Sequence, residues 1–280
     1  IMQLRHLYDY RSDTVYAEGE FDDSALNELV DYAMWSSEPV PFDPMEITLH
    51  KIYEETQKND LRRAYQLFHE YPLAGRPPMM THLFENSEKE RIIAAKGAPE
   101  AIISVSQLSD VDKDKIRGGI ETFAQQGYRI LGVGKSHFEG NDFPAKQKDF
   151  KFEFLGLTVF YDPPKQGIKE VFQQIYAAGI KVKVITGDNA ETTKAIALQA
   201  GIVNTAPAVN GSEIVGNTED EIITIAQRAT LFTRMFPDVK LAVVNALKKS
   251  GEVVAMLGDG VNDGPALKAA HIGVAMGNKG

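Results

Sequence analysis

The chain has 280 residues, which is enough for two domains that each bury a core. Hydrophobic residues make up 43% and charged residues 25%, as in ordinary soluble globular proteins. The formal net charge of -9 argues against a nucleic-acid-binding protein, which normally presents a basic surface. The absence of cysteine excludes a disulfide framework and thiolate metal sites. No apolar run reaches the ~20 residues that span a bilayer, so we predict a soluble chain without direct membrane insertion.

The first half, up to about residue 152, mixes helical and strand-like segments in irregular order, which indicates an α+β domain. Apolar residues at helical spacing predict helices over 24–35, from Pro44 to Tyr53, and over 61–69. The remaining predicted elements are strands over 81–84 and 91–95, a helix from Ser109 or Asp110 to Gly127, and a strand over 128–133.

From Phe152 onward, short apolar strands alternate with helices, which is typical of a parallel α/β sheet covered on both faces. This change in the order of predicted strands and helices places the domain boundary near residue 153 and predicts domains over 1–153 and 154–280. In such sheets, ligands bind beyond the carboxyl ends of the strands. The predicted strands cover 154–160, 181–185, 230–233, 252–257 and 272–275, and the predicted helices cover 167–178, 190–200, 220–228, 238–248 and 262–270.

The most informative loop follows the apolar run at 253–257 and reads GDGVND over 258–263. Its two carboxylates, Asp259 and Asp263, are oxygen donors at a spacing that suits a hard cation such as Mg²⁺. The alternative is an ordinary strand-to-helix turn in which Asn262 or Asp263 caps the helix. A cap explains one carboxylate but not Asp259 between two glycines, so the pattern favours a metal site.

Two further loops carry groups that phosphate chemistry uses. The strand over 181–185 leads to Thr186, Gly187 and Asp188, where a hydroxyl and free backbone N–H groups at a helix N-terminus form a natural phosphate site. Asp188 by itself is equally well explained as a helix cap. Lys240, in the first turn of a helix entered through proline, can direct its ammonium at a phosphoryl group, although a single surface lysine is usually a solvated charge. Together the three loops predict a phosphoryl-transfer site at one edge of one sheet.

A threonine, a lysine and an acidic pair on successive loops of such a sheet resemble the haloacid-dehalogenase-like superfamily. Its nucleophilic aspartate lies in a D-x-D or D-K-T-G-T motif after the first strand, and this sequence has no such motif. The most similar letters, DKDK at 112–115, belong to a predicted helix with no strand before it. The resemblance implies a Rossmann-type parallel α/β second domain without its first strand, and hence a sheet that is gapped, rearranged, or filled by another segment or chain.

Four motifs resemble those of P-type cation-transporting ATPases: KGAPE at 96–100, DPPK at 162–165, TGDN at 186–189 and GDGVNDGPAL at 258–267. The resemblance covers essentially the whole chain. It implies an ATP-binding first domain, a phosphorylation second domain, and ATP and Mg²⁺ as ligands. It also implies a parent membrane protein whose transmembrane and actuator domains are the partners of this part, at the cytoplasmic face of the membrane.

The same resemblance implies roles for residues of the first domain. Lys96 and Gly97 would lie beside the adenine of ATP, Tyr71 would stack on it, Glu46 would contact it, and Arg129 would reach the phosphates. For Tyr71 the alternative is a core aromatic residue, and for Glu46 and Arg129 the alternative is an exposed charge.

In the second domain, the resemblance assigns phosphoryl binding to the loop of Thr186 and neutralisation of the phosphoryl charge to Lys240. It assigns Mg²⁺ binding to the acidic turn. The implied catalytic residues are Thr186, Gly187, Asp188, Lys240, Asn262 and Asp263, and the implied metal ligands are Asp259 and Asp263. Without the nucleophile, we expect the chain to bind ATP without turnover. The alternatives are a free-standing haloacid-dehalogenase-like phosphatase with a large cap domain, and a non-catalytic nucleotide-binding module.

Overall fold

The computed structural model describes residues 2–57, 59–258 and 263–276. These residues form two compact units, one comprising 1–124 and 128–163 and the other 125–127 and 164–280. Within the described ranges, no helix combines the length and the hydropathy that a bilayer span requires.

The first unit is built around a seven-stranded antiparallel sheet with the strand order β2-β1-β7-β6-β5-β4-β3. Its strands are β1 Gln3–Asp9, β2 Thr14–Ala17, β3 Tyr65–Ala74, β4 Met79–Asn86, β5 Arg91–Gly97, β6 Arg129–Ser136 and β7 Phe152–Tyr161. The α-helices in this part of the chain are α1 Asn27–Trp35, α2 Pro44–Thr56, α3 Pro99–Val105 and α4 Asp110–Gln125.

Helices cover both faces of this sheet, so each face contributes to a separate hydrophobic core. Successive residues of β5 illustrate the alternation, because Ala94 packs with Leu49 of α2 while Ile93 packs with Ile102 of α3. Central strands of such a sheet are apolar on both faces, and their sequences therefore lack a simple alternation of polar and apolar residues.

The predicted helices over 24–35 and from Pro44 are confirmed, the first of them opening with a short 3-10 turn that is capped by Asp23. The helix predicted over 61–69 is wrong, because this segment enters β3, which pairs with β4. The aromatic residues of this segment, Tyr65, Phe68 and Tyr71, favour an extended conformation. Pairing with β4 satisfies the backbone N–H and C=O groups that a short helix would satisfy internally.

The apolar strand predicted over 154–160 forms as β7 but lies between β1 and β6 in the antiparallel sheet. The predicted boundary near residue 153 is therefore corrected, since the two units divide after Pro163. Nearly every residue of β7 is buried. Such a sequence is expected of a central strand in either a parallel or an antiparallel sheet, so periodicity could not assign it to a domain.

The second unit alternates short strands with helices as the sequence predicts, and its paired strands are parallel. Its elements are α5 Ile168–Ala177, β8 Val184–Ile185, α6 Ala190–Gln199, β9 Ala208–Asn210, α7 Gly211–Ile214, α8 Glu219–Arg228, β10 Leu231–Thr233, α9 Pro237–Lys249, β11 Ala255–Gly258, α10 Gly264–Ala269 and β12 Ile272–Ala275. Strand β9 and helix α7 were not predicted.

The described strands of the second unit form two separate sheets, ordered β8-β10-β9 and β11-β12. This agrees with the prediction of a gapped sheet. The two sheets differ in burial: Leu231 and Phe232 of β10 are fully buried, whereas Leu257 of β11 is 61% exposed and Val274 of β12 is 37% exposed. Apart from Met256, which packs with Val244 and Ala266, the apolar side chains of β11 and β12 are partly or largely exposed to solvent.

Candidate functional site

Lys96, at the end of β5, lies in a buried polar cluster of the first unit. Its ammonium donates hydrogen bonds to Oε1 of Glu46 at 2.6 Å and to Oγ of Ser37 at 2.7 Å. Glu46 lies in the first turn of α2, where the side chain of Asp43 caps the helix by accepting the N–H of Met45 at 2.8 Å. Burial lowers the pKa of Lys96, and the charge of Glu46 opposes that shift.

This cluster retains unused hydrogen-bonding capacity. Oε2 of Glu46 and Nε2 of His50, one turn further along α2, are buried and have no partner among the described residues. An ammonium has three donors, and the hydrogen bonds of Lys96 to Glu46 and Ser37 use two of them. Buried polar atoms are nearly always hydrogen-bonded, so the cluster is equipped for water or a ligand.

The strand register places Arg129 on the same face of the sheet as Lys96. Lys96 is paired with Val133 of β6, and Arg129 lies four residues before Val133 on the same regular strand. Alternation therefore directs both side chains to one face, with about 13 Å between their levels along the strands. Glu46, Lys96 and Arg129 are thus brought to one side of the sheet, and Arg129 is half-buried there.

The structure does not bring Tyr71 together with Lys96. Tyr71 pairs with Thr81 of β4, and residues at that level point to the face opposite Lys96. Its ring packs edge-on against Phe150 with centroids 5.6 Å apart, and its hydroxyl donates to the carbonyl of Pro144 at 2.6 Å. These contacts match the alternative in which Tyr71 is a core aromatic residue.

Sequence reasoning missed Leu73, which lies on the face of Lys96. Between Tyr71 and Ala74, β3 advances three residues while its partner β4 advances two. This irregularity reverses the alternation of side chains, so Leu73 points to the side opposite Tyr71. Leu73 is 64% exposed. One feature of the sequence could have indicated Leu73. It is an apolar residue in the PLAG segment beside a turn, where an exposed edge strand normally carries polar residues.

Gly97 has a packing reason for being glycine. A Cβ atom at this position would lie 2.5 Å from both the Cα of Met79 and the carbonyl oxygen of Pro78. The close approach of β4 to β5 therefore requires the absence of a side chain. Its predicted place beside a nucleotide remains a prediction.

In the second unit, the loop after β8 is hydrogen-bonded to the segment that leads into α9. The carbonyl of Thr186 accepts the N–H of Met235 at 2.9 Å, and the carbonyl of Asp188 accepts the N–H of Arg234 at 2.9 Å. The hydroxyl oxygen of Thr186 accepts the N–H of Asp188 at 3.1 Å. Because β8 and β10 are parallel neighbours, this loop and the start of α9 lie at the same sheet edge.

Asn189, and not Asp188, caps helix α6. Its side chain accepts the N–H of Thr192 at 2.8 Å. The alternative role of Asp188 as the helix cap is therefore wrong. Gly187 is exposed in the same loop, and Thr186 is half-buried.

Lys240, in the first turn of α9, forms an ion pair with Asp263. Its Nζ donates to Oδ1 at 2.7 Å, and the two side chains are 13% and 12% exposed. A Cβ on Gly258 would lie 2.8 Å from Oδ2 of Asp263, so glycine is required where β11 ends. Asp263 occupies the N-cap position of α10, but its side chain makes no capping hydrogen bond there. The predicted residues Asp259 and Asn262 lie outside the described residues.

Comparison with known proteins identifies related chains. Residues 51–271 match the family described as haloacid dehalogenase-like hydrolase. The chain is 31% identical over 260 residues to the sodium/potassium exporting P-type ATPase cta3 of Schizosaccharomyces pombe, covering 85% of this chain and 25% of that protein. It is 32% identical over 235 residues to a calcium-transporting ATPase of Bacillus subtilis, covering 80% of this chain and 26% of that protein. This chain thus spans about a quarter of the length of these relatives.

Proposed function

Because the chain belongs to the haloacid dehalogenase-like hydrolase family, we propose that it is the ATP-binding and phosphoryl-transfer part of a P-type cation-transporting ATPase. The names of its relatives and the four motifs at 96–100, 162–165, 186–189 and 258–267 support this proposal. The whole protein would couple ATP hydrolysis, through an aspartyl phosphate, to cation transport. Its transmembrane and actuator domains would be the partners of this part, at the cytoplasmic face of the membrane.

The observation that carries the phosphoryl-transfer proposal is the linkage of three loops at strand ends. Thr186 bonds to Met235 just before α9, and Lys240 of α9 bonds to Asp263 after β11. Thr186 Oγ1 already accepts the N–H of Asp188, so its own proton is available to a phosphoryl oxygen. Lys240 would neutralise developing negative charge, and phosphoryl transfer requires little more from a protein than such positioning and charge stabilisation.

The described part of the acidic turn fits Mg²⁺. Oδ1 of Asp263 is bonded to Lys240, while Oδ2 makes no hydrogen bond to a described residue. A free carboxylate oxygen is the donor that Mg²⁺ prefers. Asp263 and Asp259 would hold the ion, with Asn262 in support, and bound Mg²⁺ would supply positive charge to the phosphoryl oxygens.

For nucleotide binding, the proposal rests on the face of the sheet that carries Lys96. Leu73 would offer an apolar surface to the base, and the free Oε2 of Glu46 would accept a hydrogen bond from an amino group. The third donor of Lys96 would bond to the nucleotide, and Arg129 would extend toward its phosphates. Tyr71 has no part in this arrangement because it faces the other core.

Calorimetric titration of the full chain with ATP tests nucleotide binding. We expect Lys96→Ala to weaken binding by about 1–3 kcal/mol, or roughly 5- to 150-fold. Because Lys96 is buried, circular dichroism must show that this variant is folded. Leu73→Glu, at an exposed position, should weaken binding without that complication, whereas Lys89→Ala in the β4–β5 turn serves as the control. Unchanged affinity in both Lys96→Ala and Leu73→Glu would contradict the nucleotide assignment.

A parallel phosphate-release assay separates the alternatives. We propose that the chain binds ATP without releasing phosphate, because it has no D-K-T-G-T aspartate. Turnover of ATP or of a simple phosphate ester would instead favour the free-standing phosphatase. Asp259→Asn should abolish Mg²⁺ binding at the acidic turn of the second unit. It should leave the affinity of the first unit for ATP within about twofold. Loss of both together would contradict the separation of the two sites.

A further inference from the structure

We propose that Glu38, Glu70 and His82 form a binding site for a divalent transition-metal ion in the first unit. Each residue offers one ligand atom, and these atoms all lie within 4.8 Å of one another. None of these residues belongs to the acidic turn of the second unit or to the set proposed to contact ATP, although Ser37 bonds to both Lys96 and His82. It lies on the same face of the sheet as Lys96, because Glu70, His82 and Ala94 form one row of cross-strand neighbours.

The hydrogen bond of His82 selects the tautomer in which Nε2 can bind a metal ion. It is 1% exposed, and its Nδ1 lies 3.0 Å from the carbonyl oxygen of Ser37. Since a carbonyl oxygen can only accept, Nδ1 carries the proton and the neutral ring presents the lone pair of Nε2. Nε2 makes no hydrogen bond to a described residue. An imidazole that donates one N–H to a backbone carbonyl is the usual arrangement of a metal-ligating histidine.

The two carboxylates converge on His82, and the nearest cation, Lys96, acts on Glu38 only through space. Glu70 of β3 is directly opposite His82 of β4, and Glu38 follows α1 in the loop after Ser37. Within the described chain, neither carboxylate forms a salt bridge. Two carboxylates at this separation repel each other, and a cation between them removes the repulsion. Glu46 shows the contrast, because this nearby buried carboxylate has its own lysine.

The donor set selects a class of ion. One imidazole nitrogen and two carboxylate oxygens suit Zn²⁺ and similar first-row ions, whereas Mg²⁺ prefers oxygen ligands alone. Ligands bound tetrahedrally at about 2.1 Å lie about 3.4 Å apart. Glu70 is exposed, so rotation of its side chain can shorten the present separations while His82 stays in place. Three protein ligands leave a fourth position for water or an exogenous ligand.

Titration of the chelator-treated full chain with Zn²⁺, against a chromophoric competitor, tests this site. We expect one Zn²⁺ per chain at this site, and an affinity at least tenfold lower in both Glu70→Gln and His82→Gln. Glu88→Gln, an exposed carboxylate in the β4–β5 turn, should bind like the unaltered chain. Asp263→Asn should also retain Zn²⁺ binding, because the acidic turn is a different site. Co²⁺ added in place of Zn²⁺ should give visible absorption that His82→Gln removes.

The exposed position of Glu70 keeps the test decisive even if the buried substitution at His82 prevents folding. Equal Zn²⁺ affinity in Glu70→Gln and the unaltered chain would overturn the proposal. Displacement of Zn²⁺ by an equal concentration of Mg²⁺ would overturn the assignment to a transition-metal ion. Retained Zn²⁺ affinity in Glu70→Gln together with its loss in Asp263→Asn would instead assign the ion to the acidic turn.

Discussion

Each unit contains a lysine–carboxylate pair, and the two pairs differ in what surrounds them. Lys96 and Glu46 are joined at 2.6 Å beside an unbroken seven-stranded sheet, with side chains 6% and 8% exposed. Lys240 and Asp263 are joined at 2.7 Å in the unit whose described strands form two small sheets. The same chemical pair is therefore part of a continuous core in one unit and a link between loops in the other. Removing one partner of a buried ion pair is costly, and the cost is larger when the pair is less exposed to solvent.

Lys96→Ala should have the largest effect on stability. It leaves the carboxylate of Glu46 buried without its cation, and we expect the free energy of unfolding to fall by about 3–5 kcal/mol. Urea denaturation followed by the fluorescence of Trp35, the single tryptophan and a buried residue of α1, reports on this unit. The double variant Lys96→Met with Glu46→Gln removes both charges and should recover most of the loss. A single variant as stable as the unaltered chain would contradict this account.

Lys240→Met should have the next largest effect, about 2–3 kcal/mol, because Asp263 loses a charged hydrogen bond in a partly solvated position. Hydrogen exchange of the amides in α9 and α10 measures this change locally. Lys249→Met, which alters an exposed lysine of the same helix, serves as the matched control. If both variants exchange alike, the Lys240–Asp263 pair is not a structural link between the loops.

Asp31→Asn should stabilise the first unit. Burial, with a smaller contribution from Glu28, raises the pKa of Asp31 to about 6, and Oδ1 has no partner among the described residues. The folded state thus binds the proton more tightly than the unfolded state. Stability is therefore lost as the pH rises from about 4 to about 6. We expect the variant to gain about 1–2 kcal/mol at pH 7, after allowance for partial solvent exposure, and nothing below about pH 4.

The pH dependence gives this prediction its control. Asp22→Asn alters an exposed aspartate just before the same helix and should change stability little at either pH. Thermal unfolding of both variants at the two pH values makes the comparison. An equal gain for Asp31→Asn at both pH values would show that removal of a buried charge is not its cause.

The smallest expected effects are those of the two helix caps. Asp43→Ala removes the cap of α2 and Asn189→Ala that of α6, and each should cost about 1 kcal/mol. Because α2 carries Glu46, only Asp43→Ala should also weaken ATP binding. Thermal unfolding and ATP titration of both variants test the difference. Equal weakening of ATP binding by the two would place the nucleotide elsewhere than beside α2.

Local signals in the sequence account for most elements of the second unit. Apolar strands of three to five residues, glycine stops and capping residues predicted α5, α6, α8, α9 and β12 closely. The motif loops also identified Lys240 and Asp263, because parallel strands bring their carboxyl ends to one edge. The pairing of these two residues with each other was not predicted, since it depends on the path of α9 relative to β11.

In the first unit, the assignment of residues to faces could not be predicted. Tyr71 and Leu73 lie two residues apart and would share a face on a regular strand, but the irregularity in β3 separates them. Sequence alternation cannot reveal such an irregularity, because it arises from pairing with β4. The convergence of Glu38, Glu70 and His82 was missed for the same reason, as the three residues come from a loop and two strands.

The sequence by itself determined the types of element, the caps and the residues that carry phosphate chemistry, because these depend on contacts within a few residues. Only the tertiary structure decided that β7 belongs to the antiparallel sheet, that Tyr71 faces away from Lys96, and that Lys240 meets Asp263. Strand order and register are set by pairing between distant segments, and a shift of one residue exchanges the two faces of a strand.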